Sequence, residues 1–320
     1  MTGYREVSQK SARLSAAGLP PVARARRGRL GHDWPWMAAF VLPALVTVVV
    51  VQFYPLVFSG YLATQDWTLT SSQTSEGFVG LENFGKVLQN DVFRRAVGNS
   101  ARITGSAVLI EMLLGTFLAY LAAGSNWTMR VVRTILILPL VIAPVAAGTL
   151  WRMMLNSQMG LTNYLLSFVG IHGPDWLGNA SWAPLAVIIV DVWMTTPFVF
   201  LVISAGLTGI PFELHESAAL DGATRWQSFL SIDIPLLAPL LLLTVMFRML
   251  ESLLSLDSIY TLTLGGPGYA TFTLTYYIYT LGLRSFNLGL AAAASWLFMA
   301  YATLALGLVF WLQRRWQTAQ

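Results

Sequence analysis

Six runs of apolar residues, each long enough to cross a bilayer, constrain this chain more than any motif in it. A bilayer core of about 30 Å takes roughly 20 apolar residues in a helix. Runs of that length fall at residues 36–58, 103–123, 134–155, 183–206, 236–256 and 290–312. They are continuous rather than alternating, which argues against the short strands of a membrane barrel. Composition agrees. Of 320 residues, 56% are hydrophobic and 11% are charged, against about 25% charged in an average soluble domain. The expected fold class is therefore an all-α membrane protein with six transmembrane helices. Pro43, Pro55, Pro139, Pro144 and Pro197 fall within spans or at their ends. Neighbouring helices or water can re-satisfy the carbonyls they free.

Basic residues orient the spans. With the N-terminus in the cytoplasm, six spans return the C-terminus to the same side. Twelve Lys and Arg then lie in cytoplasmic segments and four in external ones; Arg102, Arg152 and Arg248 sit within spans or at their edges. The expected organisation is a basic cytoplasmic tail over 1–33 and a six-span domain over 34–316. That domain carries an external segment at 59–100 and a cytoplasmic loop at 207–235. The tail reads as disordered, a topology signal that can touch anionic lipid. A long basic stretch followed by a full-length span argues against a cleavable signal peptide.

Several function classes fall away. The net charge of +4 is concentrated at one end, unlike a nucleic-acid surface. Cysteine is absent and the three histidines lie far apart, which leaves no basis for a disulfide framework, a thiolate nucleophile or a multi-histidine metal site. Gly80–Lys86 matches the start of a phosphate-binding loop, but Val87 stands where magnesium needs Ser or Thr. No buried strand precedes it. The chain reads as a non-enzyme, with no catalytic residue, cofactor or metal of its own.

The most specific stretch separates the fourth and fifth spans. Pro211 suits a first helical turn, and Phe212–Leu220 read as a short helix with a small-residue face. Gly222 can stop that helix in a left-handed cap. Thr224 and Gln227 have capping-box spacing, so a second helix starts there. Pro235 is expected to end it before the fifth span. Ser217, Ala218 and Ala219 would let a partner backbone approach closely, while Trp226 and Phe229 offer apolar anchors.

Glu216-Ser217-Ala218, Asp221-Gly222-Ala223, Phe229 and Ile232-Asp-Ile-Pro235 resemble the EAA loop of ATP-binding-cassette importer permeases. Ser217 departs from the family's alanine. Gly80-Leu-Glu-Asn-Phe84, Gly160-Leu-Thr-Asn163 and Leu264-Gly-Gly-Pro267 extend the resemblance toward the carbohydrate-uptake class. The resemblance implies the type I importer permease fold and a coupling loop that meets an ATPase. Glu216, Ser217, Ala218, Asp221, Gly222, Ala223, Phe229 and Pro235 would be its coupling residues. It also implies a second permease subunit, two ATPase subunits that bind ATP and magnesium, an extracytoplasmic substrate-binding protein and a bacterial inner membrane.

Ionisable side chains inside spans are costly and face a cavity or a partner. Arg248, Glu251, Ser252, Ser255 and Ser258 recur at steps of three and four, which places them on one helix face. They read either as a structural Arg248–Glu251 pair or as a polar wall of a translocation path. Asp191 and Thr195 share a face of the fourth span, with Trp193 nearby. A carboxylate beside an indole suits a sugar, and Trp193 equally reads as a packing aromatic. Glu111 reads as a helix–helix hydrogen bond, and Arg152 as a residue that snorkels to the interface.

Together these point to the permease subunit of an ATP-driven, binding-protein-dependent importer for a sugar, oligosaccharide or polyol, working by alternating access. The rivals are a proton-coupled carrier with Asp191, Glu111 or Glu251 as relay, and a membrane scaffold that transports nothing. Such carriers often show inverted repeats, and none is visible here. A scaffold has no use for the small-residue loop.

Overall fold

The computed structural model describes residues 34–70, 77–123 and 127–317. The expected tail over 1–33 lies outside them. The chain divides into two compact units, residues 1–58 and 59–320.

In the first unit, α1 (Trp34–Val48) runs through a π-helical turn at Val49–Phe53 into α2 (Tyr54–Ala63), whose residues from Ser59 onward belong to the second unit. Pro55 stands in the first turn of α2, just after that π-turn. A π-turn shifts the hydrogen-bond register by one residue, which accommodates the amide a proline lacks. The side chains from Ala39 to Phe58 are exposed, and nearly all are apolar. Such a surface is suited to lipid rather than water.

After the end of α2, the second unit carries a two-stranded antiparallel ladder, β1 (Gln65–Asp66) against β2 (Gly77–Phe78). α3 (Glu82–Gln89) follows. Its buried Asn83 donates to the carbonyls of Ala63 and Gln65 and pins the helix to the end of α2. Asn90 then caps α4 (Asp91–Leu121) by accepting from the Val92 and Phe93 amides. The second span therefore begins well before residue 103, as the tail end of a 31-residue helix.

The third apolar run is not one straight helix. α5 (Trp127–Ile137) and a 3-10 turn at Leu138–Val141 are followed by α6 (Pro144–Met154), bent 100° away. Two prolines cause the break. Pro139 cannot donate within the turn, and Pro144 forces Ala143 into an extended conformation, φ −61° and ψ 135°. α7 (Leu161–Phe168) leads to α8 (Ala183–Thr208). α9 (Phe212–Leu220), α10 (Arg225–Ser228), a π-turn at Phe229–Asp233 and α11 (Ile234–Leu254) come next. α12 (Asp257–Leu262), α13 (Leu274–Tyr279), a π-turn at Thr280–Arg284 and α14 (Leu288–Gln317) complete the described residues.

Among the described residues, five helices are long and apolar enough to cross a membrane, and a sixth span results if the bent α5–α6 pair counts as one. The largest packing interface joins α4 to α8, and α11 lies against both. Glycine permits the close approach. A Cβ on Gly115 would come within 2.6 Å of Val199, and one on Gly206 within 2.5 Å of Leu240. Small residues at helix crossings are what van der Waals packing in lipid requires. Buried Ala107, Ala119 and Ala186 continue the pattern.

Candidate coupling segment and buried polar site

Local chemistry builds the segment between α8 and α11. α9 ends in two reverse hydrogen bonds, Ala223 N to Ala218 O at 2.9 Å and Gly222 N to Ala219 O at 3.1 Å. Gly222 sits at φ +80°. This is a Schellman cap, and its left-handed residue favours glycine. Thr224 then opens α10 with a complete capping box. Its hydroxyl accepts from Gln227 N at 3.3 Å, and the Gln227 side chain accepts from Thr224 N at 2.8 Å. Both ends of the turn are thus fixed by short-range bonds.

Pro235 does not end α10. The helix continues through the π-turn at Phe229–Asp233 straight into α11, and Pro235 stands in the first turn of α11. The wide turn leaves room for the ring, so no break is needed. α10 and α11 form one rod of 30 residues, Arg225–Leu254. Phe229 is buried and faces inward, with its ring 4.4 Å from that of Tyr120 at the end of α4. Trp226 packs on the same two rings at 5.9 and 5.4 Å. These aromatics fasten the segment to α4. Phe229 is an inner anchor rather than a contact offered to a partner. His215 Nε2 on α9 lies 3.3 Å from Asp233 Oδ1 on the rod.

What remains outward is a small, mixed face. Glu216, Ser217, Asp221 and Gly222 are exposed, and Ala218, Ala223 and Pro235 are half-buried. Phe212 is 69% exposed and Leu220 90%. Ser217 donates to the Glu213 carbonyl at 2.9 Å. That bond turns the hydroxyl back onto its own helix, so serine fills an alanine position without adding a free polar group.

The second feature lies at membrane depth. Arg248 on α11 is 1% exposed. Its Nε and Nη2 donate to the two carboxylate oxygens of Glu111 on α4, at 2.8 and 3.3 Å. Its Nη1 donates to Glu251 at 2.5 Å, and Nη2 lies 3.8 Å from Asp191 on α8. The expected Arg248–Glu251 pair is therefore one edge of a larger cluster. Glu111 is an ion-pair partner and not only a helix–helix hydrogen bond. One guanidinium ties three helices together through three carboxylates. Bidentate geometry is what makes a buried pair tolerable.

Ser252 donates to Asp191 Oδ2 at 3.1 Å, and Thr104 Oγ1 lies 3.3 Å from the same hydroxyl. Beside them is a cavity of about 20 Å³ lined by Ser100, Thr104, Asp191, Ser252, Ser255 and Ser258, among others. One water fits such a space. The three serines do not share a helix face. α11 stops at Leu254, Ser255 is extended with ψ 112°, and Ser258 belongs to α12. The turn brings them back to one cavity.

Thr195 and Trp193 stand apart from this site. The Thr195 hydroxyl donates to the backbone carbonyl of Asp191 at 2.6 Å, within its own helix. Trp193 packs edge-on to Trp151 at 5.5 Å and lines a separate apolar cleft of about 330 Å³ with Leu114, Pro139, Thr196 and Pro197. Residues two apart on a helix point in nearly opposite directions, so the carboxylate and the indole open onto different spaces. Arg152 is exposed, and it donates to Thr261 O at 3.3 Å, which joins α6 to α12. Among the described residues, no three His, Cys, Asp or Glu form a metal-ligating group. Sequence reading missed Ser100 and Thr104, ordinary hydroxyls in an apolar run. It also missed the reach of Glu111, whose signal was a second in-span charge in need of a partner.

The profile of one protein family, the binding-protein-dependent transport system inner membrane component, matches residues 111–318. The chain belongs to that family. It is 32% identical over 294 residues to the probable ABC transporter permease protein y4oQ of Sinorhizobium fredii, covering 92% of this chain and 94% of that one. It is 33% identical over 265 residues to the trehalose/maltose transport system permease protein MalF of Thermococcus litoralis, covering 82% and 85%. A solved structure of a bacterial ABC transporter involved in alginate import matches with a TM-score of 0.77 at 25% identity, over 88% of this chain and 96% of that one. The helices are those of a type I importer permease, and the whole α9–α11 segment falls inside the matched family region.

Proposed function

We propose that this permease subunit serves an ATP-driven importer that receives a sugar, oligosaccharide or related polyol from an extracytoplasmic binding protein. One observation carries the coupling part of this reading. The capped α9 segment is tied to a rod that runs unbroken from Arg225 to Leu254. Force applied to α9 crosses only the capped turn at 221–224 before it enters the rod that carries Arg248 and Ser252. The exposed Phe212 and Leu220 suit a partner groove. In this reading the coupling segment and both termini face the cytoplasm. Two ATPase subunits bind ATP and magnesium there, a second permease subunit completes the path, and this chain holds no cofactor.

The mechanism is alternating access. In the conformation described, the polar cavity holds about one water and no sugar. Substrate passage therefore requires α11 to move against α4 and α8. ATP can drive that only by favouring one conformation over the other. Asp191, Ser252, Ser255 and Ser258 offer hydroxyl-matching groups on this chain's side of the path, with Arg248 and Glu251 holding the wall in shape. Trp193 and Thr195 lie beside it rather than on it. The sugar class draws support from the relatives named for trehalose/maltose and alginate transport. A proton-coupled carrier and a passive scaffold draw none.

Affinity purification of the tagged chain from its native host tests the reading. Co-purification of an ATPase and a second permease is expected, with ATP hydrolysis stimulated by a sugar-loaded binding protein. Stable recovery of the chain with no ATPase would overturn it.

A further inference from the structure

α7 is amphipathic the wrong way round for a helix covered only by its own protein. Leu161, Tyr164, Leu165 and Phe168 follow the spacing of one helix face, and they are 48, 61, 55 and 70% exposed. The opposite side carries the contacts to the rest of the fold. Asn163 donates to the carbonyls of Ser157 and Pro174, both at 3.2 Å, and accepts from Trp176 Nε1 at 2.7 Å. A hydrophobic stripe that faces outward must be covered by something apolar.

We propose that this stripe lies in the lipid interface, immersed at the headgroup–acyl boundary of the leaflet at the N-terminal end of α8. Three observations choose lipid as the occupant. The depth is pinned: Trp176, bonded to Asn163, packs edge-on to Trp182 at 5.4 Å, and Trp182 is the residue that begins the α8 span. The helix before it presents apolar side chains outward too: Val145, Leu150 and Met153 on α6 are exposed. Charge is absent: no Asp, Glu, Lys or Arg occurs between Arg152 and Asp175. Tyr164 and Phe168 stack edge-on at 4.9 Å, aromatic rings at the level where interfacial belts form. α7 would act as a float that fixes the height of the bent α6 segment and of α8 relative to the bilayer surface.

The test uses the full chain with its companion subunits in vesicles of phosphatidylcholine and phosphatidylglycerol. The chain has no native cysteine, so Phe168→Cys and Ser167→Cys can each carry an environment-sensitive fluorophore. Expected are a blue-shifted emission at position 168 and quenching there by acyl-chain spin-labelled lipid, both weaker at position 167. Equal, water-like emission at both positions would overturn the proposal. So would blue-shifted emission at 168 without lipid quenching, or quenching there that disappears when the binding protein is added, since protein is then the cover. A photoactivatable lipid on the unmodified chain needs no variant. Adducts on the peptide 161–169 are expected, and their absence where α14 is labelled would also overturn it.

Discussion

Arg248 and Glu111, 137 residues apart in sequence, form a bidentate ion pair in which neither side chain reaches solvent. The pair joins α11, the rod continuous with the coupling segment, to α4, which holds the Tyr120 anchor for the same segment. Both ends of the α4–α11 contact are thus specified by named side chains, one aromatic and one ionic.

Glu111→Gln leaves Arg248 buried with one full partner, Glu251, and the more distant Asp191. Breaking a buried pair on one side costs about 3–5 kcal/mol, whereas replacing both partners by apolar groups is often neutral. Glu111→Gln is therefore expected to lower the melting temperature of the solubilised chain more than the double change Glu111→Leu with Arg248→Met. A thermal-shift series on the two variants checks this. The order reverses if Glu251 alone satisfies the guanidinium.

Gly222 is constrained by backbone, not by space. It has φ +80° and nothing within 4 Å of where a Cβ would sit. The left-handed conformation costs a non-glycine residue about 1–2 kcal/mol, and asparagine tolerates it best. Stimulated ATP hydrolysis and uptake are expected to fall in the order Gly222→Asn, Gly222→Ala, Gly222→Val. Membrane insertion should remain unchanged across the series, because the strain is confined to the turn between α9 and α10. An equal loss for all three would point to a steric need at the partner surface instead.

Gly115 makes the opposite case. A Cβ there would lie 2.6 Å from Val199 and 3.1 Å from the Phe200 amide, so α4 and α8 must separate to admit it. Overpacking of this kind costs about 1–3 kcal/mol. Gly115→Ala is expected to destabilise the chain, and Val199→Ala in the same molecule to restore part of the loss. A double-mutant cycle in thermal unfolding reads the coupling directly. Additive effects would mean that the helices do not meet closely at this point.

Legibility in the sequence followed the range of the interaction. Thr224 with Gln227, and Gly222 after Leu220, are contacts over three or four residues, and sequence reading placed them correctly. Pro235 was misread because a π-turn is a register slip that no single residue announces; the proline was visible, but the helix running through it was not. Pro139 and Pro144 were visible too. Their effect together is a 100° bend, because the stretch from Pro139 to Pro144 has too few residues to re-form α-helical bonds. The Arg248 cluster was half legible. A pair one turn apart on α11 can be read from spacing, while Glu111 and Asp191 come from other helices and are found only through tertiary packing. Ser255 and Ser258 reached the expected cavity by a different path, a chain turn at the end of α11 rather than a helix face.

The polar cavity supplies the last expectation. Ser252, Ser255 and Ser258 border a space of about 20 Å³ in the conformation described, too small for a thiol reagent larger than water. If α11 transmits motion from the coupling segment, that space must widen in another state of the cycle. The chain contains no cysteine, so single variants Ser252→Cys, Ser255→Cys and Ser258→Cys react against a blank background. Each is expected to be slow toward a membrane-impermeant thiol reagent in the state described here. Reaction at two or more of the three should accelerate when nucleotide or substrate-loaded binding protein is supplied to the assembled transporter. Ser252→Cys also removes the donor to Asp191, so Ser255→Cys and Ser258→Cys carry the comparison if it fails to assemble. Uniform protection of the latter two in every nucleotide state would make the cluster a permanently closed polar seam. The path for substrate would then have to run elsewhere, with the apolar cleft beside Trp193 the next surface to probe.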